Sequence, residues 1–521
     1  MNDVLVLGSG AAGCAAALAA AHAGARVTML ESTSTLGGTT ALSGGVAWVP
    51  NNHRASEIGF DDDLDAARAY LAGLSLGDAD PTGIERFVTA GPDVVRRLED
   101  RTPIRWRALA YPDYHASRPG GREGGRSIEP DPVALDDELA PLLRPAVSWR
   151  VRATQNELIR GTFRRATGEQ REHDGRETMG RALAVGLLVG LRAAGVTIRI
   201  GVQVRALRQE GGRVVGVETD EGALDGSVVL ATGGFERDPQ LVKAFLRMPV
   251  QGLTGGPGAT GGGLRLAMAV GAELGNMSEA WWAPTVQLPG AEVEGQPLAH
   301  LLLAERGRAG TLMVDQRGRR FCNEAQNYND VGRALHAFDP GGFRFERDPS
   351  WLIVDQAYRD RFPIGPVQRG EPDPSGWVHA DDVVALAEGM GVDPHALQET
   401  VARYDAAAVH GDDPDVGRGR SAYDRFVGDP SAEHPNLRPL DTPPYTAVPV
   451  RAGTSGTKGG PRTDADGRVR AMAGGTIDGL YAAGNAAASH LGMLYPGAGG
   501  TIGPALVFGD LAGTAAATDG R

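Results

Sequence analysis

The chain of 521 residues is longer than one hydrophobic core usually serves, so at least two domains are expected. A formal net charge of −13 argues against nucleic acid as a partner, because a phosphate backbone attracts a basic surface. The two cysteines exclude a disulfide framework or metal cluster, so no metal site is expected. Without a long apolar run or a signal peptide, we expect no transmembrane segment and a cytoplasmic location.

The first predicted elements form one βαβ unit over residues 3–31. Val4–Leu7 is a continuous apolar run, typical of a strand that is buried on both faces. An alanine-rich stretch from Ala11 to Ala23 predicts a helix, and Arg26–Leu30 predicts the second strand.

A glycine-rich turn joins the first strand to the helix. The six residues fit the pattern G-x-G-x-x-G, which places a dinucleotide pyrophosphate at a helix N-terminus, and they are Gly8, Ser9, Gly10, Ala11, Ala12 and Gly13. Glu31 ends the second strand, where an acidic side chain binds ribose hydroxyls, and Ser32 follows it. The alternative is a turn that serves packing only, but the complete βαβ setting favours a dinucleotide site.

A second glycine loop directly after Glu31 favours FAD over NAD, since it suits a longer cofactor. Thr39, Thr40 and Ser43 offer hydroxyl groups to the flavin. The glycines of this loop, which have no side chain, let backbone N–H groups approach the flavin. These glycines are Gly38, Gly44 and Gly45. Because Thr40 is a poor attachment point, we expect the FAD to be non-covalent. An ordinary surface loop is the alternative interpretation.

The following segments mix helical and strand patterns. Residues 61–99 are mostly polar and helical, whereas residues 115–180 allow no firm assignment. A strand is expected over 195–204, ahead of a hairpin over 211–222, and another buried strand begins at Ser227. We expect four residues of this region beside the dinucleotide: Val204, Ala231, Thr232 and Gly233.

The chain changes character from about residue 281 to 445, with more aromatic residues and more helical segments. After residue 447 the alternation of strand patterns and glycine turns returns, and a last helix is expected from Thr501 to Ala516. Further cofactor contacts are expected from Gly484, Asn485, Gly500, Thr501 and Ile502. The predicted class is α/β: a Rossmann-like FAD-binding domain built from both chain ends (1–279 and 447–521), with an inserted α+β catalytic domain (280–446).

Several segments together resemble one family across nearly the whole chain. They read GGTTALSGGVAWVPNN, EAWWAP, GRRFCNEAQNY, TKGGPRTD, GLYAAGN and YPGAGGTIG, and they are similar to 3-ketosteroid Δ1-dehydrogenases of the fumarate reductase/succinate dehydrogenase flavoprotein superfamily. The first and fifth are shared by much of that superfamily, while those that carry tyrosines are more discriminating. The resemblance implies an FAD-dependent 3-oxosteroid 1-dehydrogenase, which introduces a C1–C2 double bond beside the C3 ketone.

The resemblance also assigns four catalytic positions. Tyr495 and the Gly499 N–H would donate hydrogen bonds to the C3 oxygen, and Tyr328 would take the C2 proton as a phenolate while the C1 hydride passes to flavin N5. Tyr114 would hydrogen-bond to Tyr328 and relay the proton. Tyr111, three residues before Tyr114, is the alternative at that last position.

The sequence also leaves three alternative functions to consider. A variable stretch over 117–132 leaves room for a related dehydrogenase or ene-reductase that acts on another cyclic ketone. A fumarate-reductase-like enzyme would need arginines to clamp a dicarboxylate, and residues 491–503 contain none. A flavin-binding protein without turnover is the third. The resemblance further implies a quinone-type electron acceptor.

Overall fold

The computed structural model describes residues 2–246 and 250–519 as a mixed α/β fold. In chain order the strands are β1 (Asp3–Leu7), β2 (Arg26–Glu31), β3 (Ala47–Trp48), β4 (Trp106–Ala108), β5 (Ser127–Pro130), β6 (Val133–Ala134), β7 (Arg176–Glu177), β8 (Thr197–Ile200), β9 (Val204–Glu210), β10 (Arg213–Thr219), β11 (Gly222–Asp225), β12 (Ser227–Leu230), β13 (Gly252–Leu253), β14 (Leu274–Gly275), β15 (Ala280–Val286), β16 (Glu292–Val293), β17 (Gln296–Pro297), β18 (His300–Leu301), β19 (Thr311–Val314), β20 (Phe338–Asp339), β21 (Arg344–Phe345), β22 (Ser350–Asp355), β23 (Val378–Ala380), β24 (Tyr445–Thr457), β25 (Gly460–Pro461), β26 (Arg468–Arg470) and β27 (Thr476–Ala482). The α-helices are α1 (Ala11–His22), α2 (Leu64–Leu74), α3 (Pro81–Arg101), α4 (Gln155–Ile159), α5 (Arg165–His173), α6 (Met179–Ala193), α7 (Pro239–Phe245), α8 (Gly262–Ala269), α9 (Tyr328–Ala334), α10 (Gln356–Arg359), α11 (Val383–Met390), α12 (Pro394–Ala408), α13 (Ala422–Phe426) and α14 (Ile502–Thr518).

The first large sheet has the strand order β26-β27-β12-β1-β2-β8. Its central strand β1 pairs in parallel with β2 and β12, and β12 pairs in parallel with β27. Val4 and Val6 enter one hydrophobic core while Leu5 and Leu7 enter another, so both faces are covered and the strand is apolar from Val4 to Leu7. The sheet thus joins strands from residues 3–31, 197–230 and 468–482.

Two helices from distant parts of the chain pack unusually closely beside this sheet. A Cβ atom added at Gly509 of α14 would lie 2.4 Å from the carbonyl oxygen of Ala12 in α1. One added at Gly513 would lie 2.0 Å from the carbonyl oxygen of Ala16. The small residues of both helices therefore bring their backbones together, and α14 holds the N-terminal end of α1 in place.

The second large sheet has the order β18-β15-β24-β22-β19, and β13 and β23 also pair with β24. Every residue of β15 is buried, and β24 extends this sheet to Thr457 before the chain returns to the first sheet at β26. The mixed α/β class is confirmed, whereas the domain boundaries at 279/280 and 446/447 stay predictions.

Several local predictions differ in detail from the structure. The helical stretch over 61–99 is two helices, α2 and α3, and the predicted last helix is α14. The strand expected over 195–204 ends at Ile200, because Val204 instead begins β9 in a separate three-stranded sheet. Within the described ranges, no helix combines the length and the apolar character that a bilayer crossing demands.

Candidate active site

One large cavity of about 510 Å³ passes along the carboxyl ends of the first sheet and reaches the second sheet. All predicted site residues line it except Gly13 and Gly500, which lie just behind its wall. The lining residues are Gly8, Gly10, Ala11, Ala12, Glu31, Ser32, Gly38, Thr39, Thr40, Ser43, Gly44, Gly45, Val204, Ala231, Thr232, Gly233, Gly484, Asn485, Thr501 and Ile502, with Tyr114, Tyr328, Tyr495 and Gly499.

Each of the three glycines of the N-terminal turn lacks a side chain for a different physical reason. Gly8 has a φ of +107°, and a Cβ there would lie 2.4 Å from the carbonyl oxygen of Ala231. At Gly13 a Cβ would lie 2.0 Å from the carbonyl oxygen of Gly8. At Gly10 the nearest atom to a Cβ is the Thr40 hydroxyl, at 3.6 Å, so the protein itself leaves room for a side chain. Gly10 therefore keeps this part of the cavity wall open for a ligand.

Gly10 is also the N-cap of α1, and it gives that helix no side-chain cap. Helix N-termini carry unpaired N–H groups and a partial positive charge, which bind anions. An uncapped helix end against a long cavity fits the pyrophosphate of a dinucleotide.

These glycine contacts predict that two alanine substitutions affect different properties, one the stability of the fold and the other dinucleotide binding. Gly13→Ala should lower the free energy of unfolding by about 3 kcal/mol, the upper end of what overpacking usually costs. Gly10→Ala should leave that free energy nearly unchanged but weaken dinucleotide binding about tenfold or more, equivalent to about 1.4 kcal/mol. Urea unfolding of the cofactor-free protein and a fluorescence titration with the cofactor measure the two effects. Unaltered affinity in Gly10→Ala would show that this turn does not approach the pyrophosphate.

Several predicted cofactor ligands are already engaged in hydrogen bonds within the protein. The Glu31 carboxylate accepts two hydrogen bonds from Ser9 and two from Thr33, which leaves little capacity for a ribose hydroxyl. Thr40 accepts from the Ala11 amide, and Thr39 accepts from the Gly256 amide. These side chains organise the loops around the cavity, and their direct contacts with a cofactor stay predictions.

Three predicted tyrosines meet at the far end of the cavity. The hydroxyl oxygens of Tyr328 and Tyr495 are 2.5 Å apart, which is a short hydrogen bond. The ring of Tyr114 meets both edge-on, with centroid distances of 5.9 Å to Tyr328 and 5.2 Å to Tyr495. Tyr111 instead packs against Phe426 at 4.4 Å, so the structure places Tyr114 rather than Tyr111 against the hydroxyl pair.

The local backbone holds each tyrosine in position. Tyr328 is the first residue of α9, whose N-cap Asn327 accepts a hydrogen bond from the Asp330 amide. Tyr495 lies in the loop before α14, where the Thr501 hydroxyl donates a 3.3 Å hydrogen bond to its oxygen. The Tyr114 amide donates to the carbonyl of Pro496, which ties the first and last tyrosine segments together.

Burial is the main cause of the pKa shifts of the three tyrosines. It raises the pKa of Tyr328 well above the ordinary value, and the neighbouring Tyr495 adds to the rise. Burial also raises the pKa of Tyr495, although hydrogen bonds with Thr501 and Tyr328 act in the opposite direction. Tyr114 has a strongly raised pKa for the same first reason. The phenols are therefore neutral around pH 7, and a phenolate base needs a route for proton loss.

Gly499 contributes a backbone donor beside Tyr495. Its φ is +92°, and a Cβ there would lie 2.6 Å from both the Trp48 nitrogen and the Val46 carbonyl oxygen. Its carbonyl accepts a hydrogen bond from the Trp48 amide, whereas its own N–H has no partner in the described part of the chain. This N–H is free to bind an oxygen of a ligand.

Some residues that line the cavity or pack against its lining were not predicted from the sequence. Tyr423 packs on Tyr114 with a centroid distance of 5.0 Å, and no sequence pattern marks it. Val147, Trp149 and Gln155 line the cavity from the segment that allowed no assignment. The structure places β5, β6, β7, α4 and α5 in that segment, for which the sequence shows no clear pattern.

The cavity has little free positive charge. Among its described lining residues, Arg144 is the only arginine or lysine, and its guanidinium is 2.8 Å from the Glu294 carboxylate. His300 also lines the cavity, and its imidazole is 3.2 Å from Glu305. Because a dicarboxylate requires several free cationic groups, this lining disfavours a fumarate-reductase-like site.

Comparisons with known proteins identify the family. The family model described as FAD binding domain matches residues 3–502. A 3-oxosteroid 1-dehydrogenase of Mycobacterium tuberculosis is 39% identical over 98% of this chain and 97% of its own length. A 4-oxocyclohexanecarboxylate 2-dehydrogenase of Sinomonas cyclohexanicum is also 39% identical, over 98% and 92%.

A solved structure extends the similarity to three dimensions. The 3-ketosteroid Δ1-dehydrogenase of Sterolibacterium denitrificans, in complex with 1,4-androstadiene-3,17-dione, superimposes with a TM-score of 0.90. It is 31% identical, and the match covers 99% of this chain and 100% of that one. The predicted resemblance and the predicted cofactor are confirmed: the chain belongs to the FAD-dependent oxidoreductase family of the 3-ketosteroid Δ1-dehydrogenases.

Proposed function

We propose that this protein is a 3-oxosteroid 1-dehydrogenase that converts the C1–C2 bond beside a C3 ketone into a double bond. The observation that carries the proposal is the hydroxyl pair of Tyr328 and Tyr495, 2.5 Å apart, in the same cavity as the unpaired Gly499 N–H. One group of the pair can hold a ketone oxygen while the other reaches the neighbouring carbon.

The side chains would divide the chemistry as follows. The Tyr495 hydroxyl and the Gly499 N–H donate hydrogen bonds to the C3 oxygen, which stabilises the enolate-like charge that develops there. The oxygen of Tyr328 removes the proton from C2, and Tyr114 closes the pocket against both rings. FAD, when bound, supplies the acceptor for the hydride that leaves C1. We further propose a quinone-type compound as the external electron acceptor.

The wall beyond the tyrosines suits a flat apolar ring system. Val147, Trp149, Leu301 and Leu303 line it together with Tyr111. A fused hydrocarbon skeleton would gain free energy by leaving water for such a wall. This lining supports a steroid over a small polar ketone.

A second candidate is a dehydrogenase of an oxocyclohexane carboxylate, which the relative from Sinomonas cyclohexanicum favours. The same tyrosines would act on its ketone in the same way. A carboxylate, however, would need a cationic partner in the cavity, and Arg144 is already paired with Glu294. We therefore place this candidate second.

Anaerobic mixing separates the two candidates. We expect androst-4-ene-3,17-dione to bleach the flavin absorbance and to yield a product lighter by two hydrogens in mass spectrometry. We expect 4-oxocyclohexanecarboxylate to bleach it far more slowly at equal concentration, because its charge meets no free cation. The reverse ranking would favour the second candidate, and no bleaching with either compound would contradict both.

A further inference from the structure

A second, smaller cavity lies directly behind the wall of the active-site cavity. Its volume is about 30 Å³, which exceeds the space that one water molecule requires. Asn485 and Thr501 line both cavities, so each has one side towards the cofactor site and one towards the small cavity. The remaining polar lining residues are Lys458, Thr463, Ser489 and His490.

Hydrogen bonds continue from both ends of this small cavity. At the inner end the Thr501 hydroxyl is bonded to the Tyr495 oxygen at 3.3 Å, and Tyr495 is bonded to Tyr328. At the outer end the Thr463 hydroxyl lies 3.1 Å from Nε2 of His490. Nδ1 of the same imidazole lies 2.9 Å from the carboxylate of Asp80. The His490 side chain is 8% exposed and that of Asp80 is 30% exposed, so the series leads from a buried phenol to solvent.

We propose that water in this cavity completes a proton relay from Tyr328 through Tyr495, Thr501, Thr463 and His490 to Asp80 at the surface. The inference rests on the proposed function, because it gives the C2 proton its way out. It assigns to Thr463 and His490 a positioning and proton-carrying role, although neither contacts the substrate.

The atoms balance along this route. The C2–H bond breaks as the Tyr328 O–H bond forms, and its electron pair becomes the second bond between C1 and C2. The C1–H bond breaks with its electron pair as a hydride, for which bound FAD would be the acceptor. Before the ketone binds, the Tyr495 hydroxyl faces Tyr328, as it does in this structure. Tyr328 then passes one proton to Tyr495 while Tyr495 passes its own to Thr501, and each later group accepts one proton and releases another. One proton reaches solvent, and Tyr328 is a phenolate again.

The buried position of the tyrosines makes such a route necessary. A neutral Tyr328 cannot accept the C2 proton, so it must lose a proton in every catalytic cycle. His490 suits the outer position because its two nitrogens face opposite neighbours, so one can take a proton as the other releases one.

Lys458 borders the same cavity but has a different role. Its Nζ donates hydrogen bonds to the carbonyls of Gly492, Met493 and Leu494, and it lies 4.1 Å from the ring centre of Trp281. These hydrogen bonds hold the loop that ends at Tyr495, so Lys458 fixes the inner end of the relay.

The test compares proton release with flavin bleaching in one enzyme. Wild-type holoenzyme is mixed anaerobically with the ketone that reduces it, in weak buffer with a pH indicator. In the wild type, proton release should keep pace with bleaching. In Thr463→Val, which removes the hydroxyl but keeps the shape, bleaching and proton release should both slow about tenfold, and kcat should fall while KM for the ketone stays the same. Thr463→Ser should restore both, and Thr518→Val, on the exposed end of α14, is the matched control.

Each outcome decides a separate question. Bleaching and release at wild-type rates in Thr463→Val and in His490→Gln would overturn the relay and direct attention to the His115–Asp330 pair, 3.0 Å apart, as the exit. A wild type that no cyclic ketone bleaches would instead refute the proposed function and, with it, the relay. A crystal structure gives a readout independent of activity: ordered water should bridge Thr463 and Thr501, and a dry cavity would overturn the inference.

Discussion

Tyr495→Phe is expected to slow the reduction of bound FAD by a 3-ketosteroid about 10²- to 10³-fold, the usual effect of removing one donor to a developing oxyanion. The phenyl ring keeps its packing against Trp281, at a centroid distance of 4.9 Å, so only the hydroxyl is lost. Stopped-flow absorbance of the flavin measures the rate. FAD content after gel filtration should equal that of the wild type.

Tyr481→Phe is the matched control for this substitution. Tyr481 lies in β27 of the first sheet and is also buried, but its hydroxyl donates to Asp519 just after α14, and neither residue lines the active-site cavity. It should retain the wild-type rate. Normal flavin reduction in Tyr495→Phe would refute the ketone-binding role of this phenol.

Tyr328→Phe is expected to lower the same rate about 10²- to 10⁴-fold, because it removes the proposed general base. Steroid binding should change little, since the ring still contacts Tyr114 and Tyr495. The two effects are separated by stopped-flow rates over a range of steroid concentrations. Loss of steroid affinity at an unchanged limiting rate would indicate a binding role instead.

The pH dependence gives a further expected result for Tyr328. The pKa of this phenol is raised well above its ordinary value, so the active phenolate is a minor form at neutral pH. The rate of flavin reduction should therefore rise steadily with pH and should not level off by about pH 10, the ordinary tyrosine pKa. Tyr328→Phe should remove this rise, whereas Tyr114→Phe should keep it. A wild-type rate that is flat from pH 6 to 9 would contradict a tyrosine base.

The sequence predicted the nucleotide end of the fold well because its signals are local. The strand Val4–Leu7, the glycine turn and the first helix follow one another without interruption, so spacing alone indicates how they pack. The structure adds that backbone contacts exclude a side chain at Gly8 and Gly13, whereas at Gly10 the protein leaves space that a ligand can fill.

The tyrosine site depends on contacts between distant parts of the chain. Tyr114, Tyr328 and Tyr495 belong to three separate segments, and no periodicity relates them, so only the family resemblance predicted that they meet. The same reason explains the residues that were missed. Tyr423 and Trp149 acquire their positions from tertiary packing, and the hydrogen bonding of Glu31 depends on Ser9 and Thr33, whose side-chain directions a sequence does not reveal.

The close approach of α1 and α14 has a consequence for biosynthesis. The ribosome makes the N-terminal glycine turn long before α14, but Gly509 and Gly513 of α14 allow the close contact that supports the helix after that turn. A nascent chain that lacks the last fifty residues has an unsupported α1 and no strand β27 beside β12. We therefore expect flavin capture to follow the synthesis of α14, and chains truncated before Thr476 should be colourless.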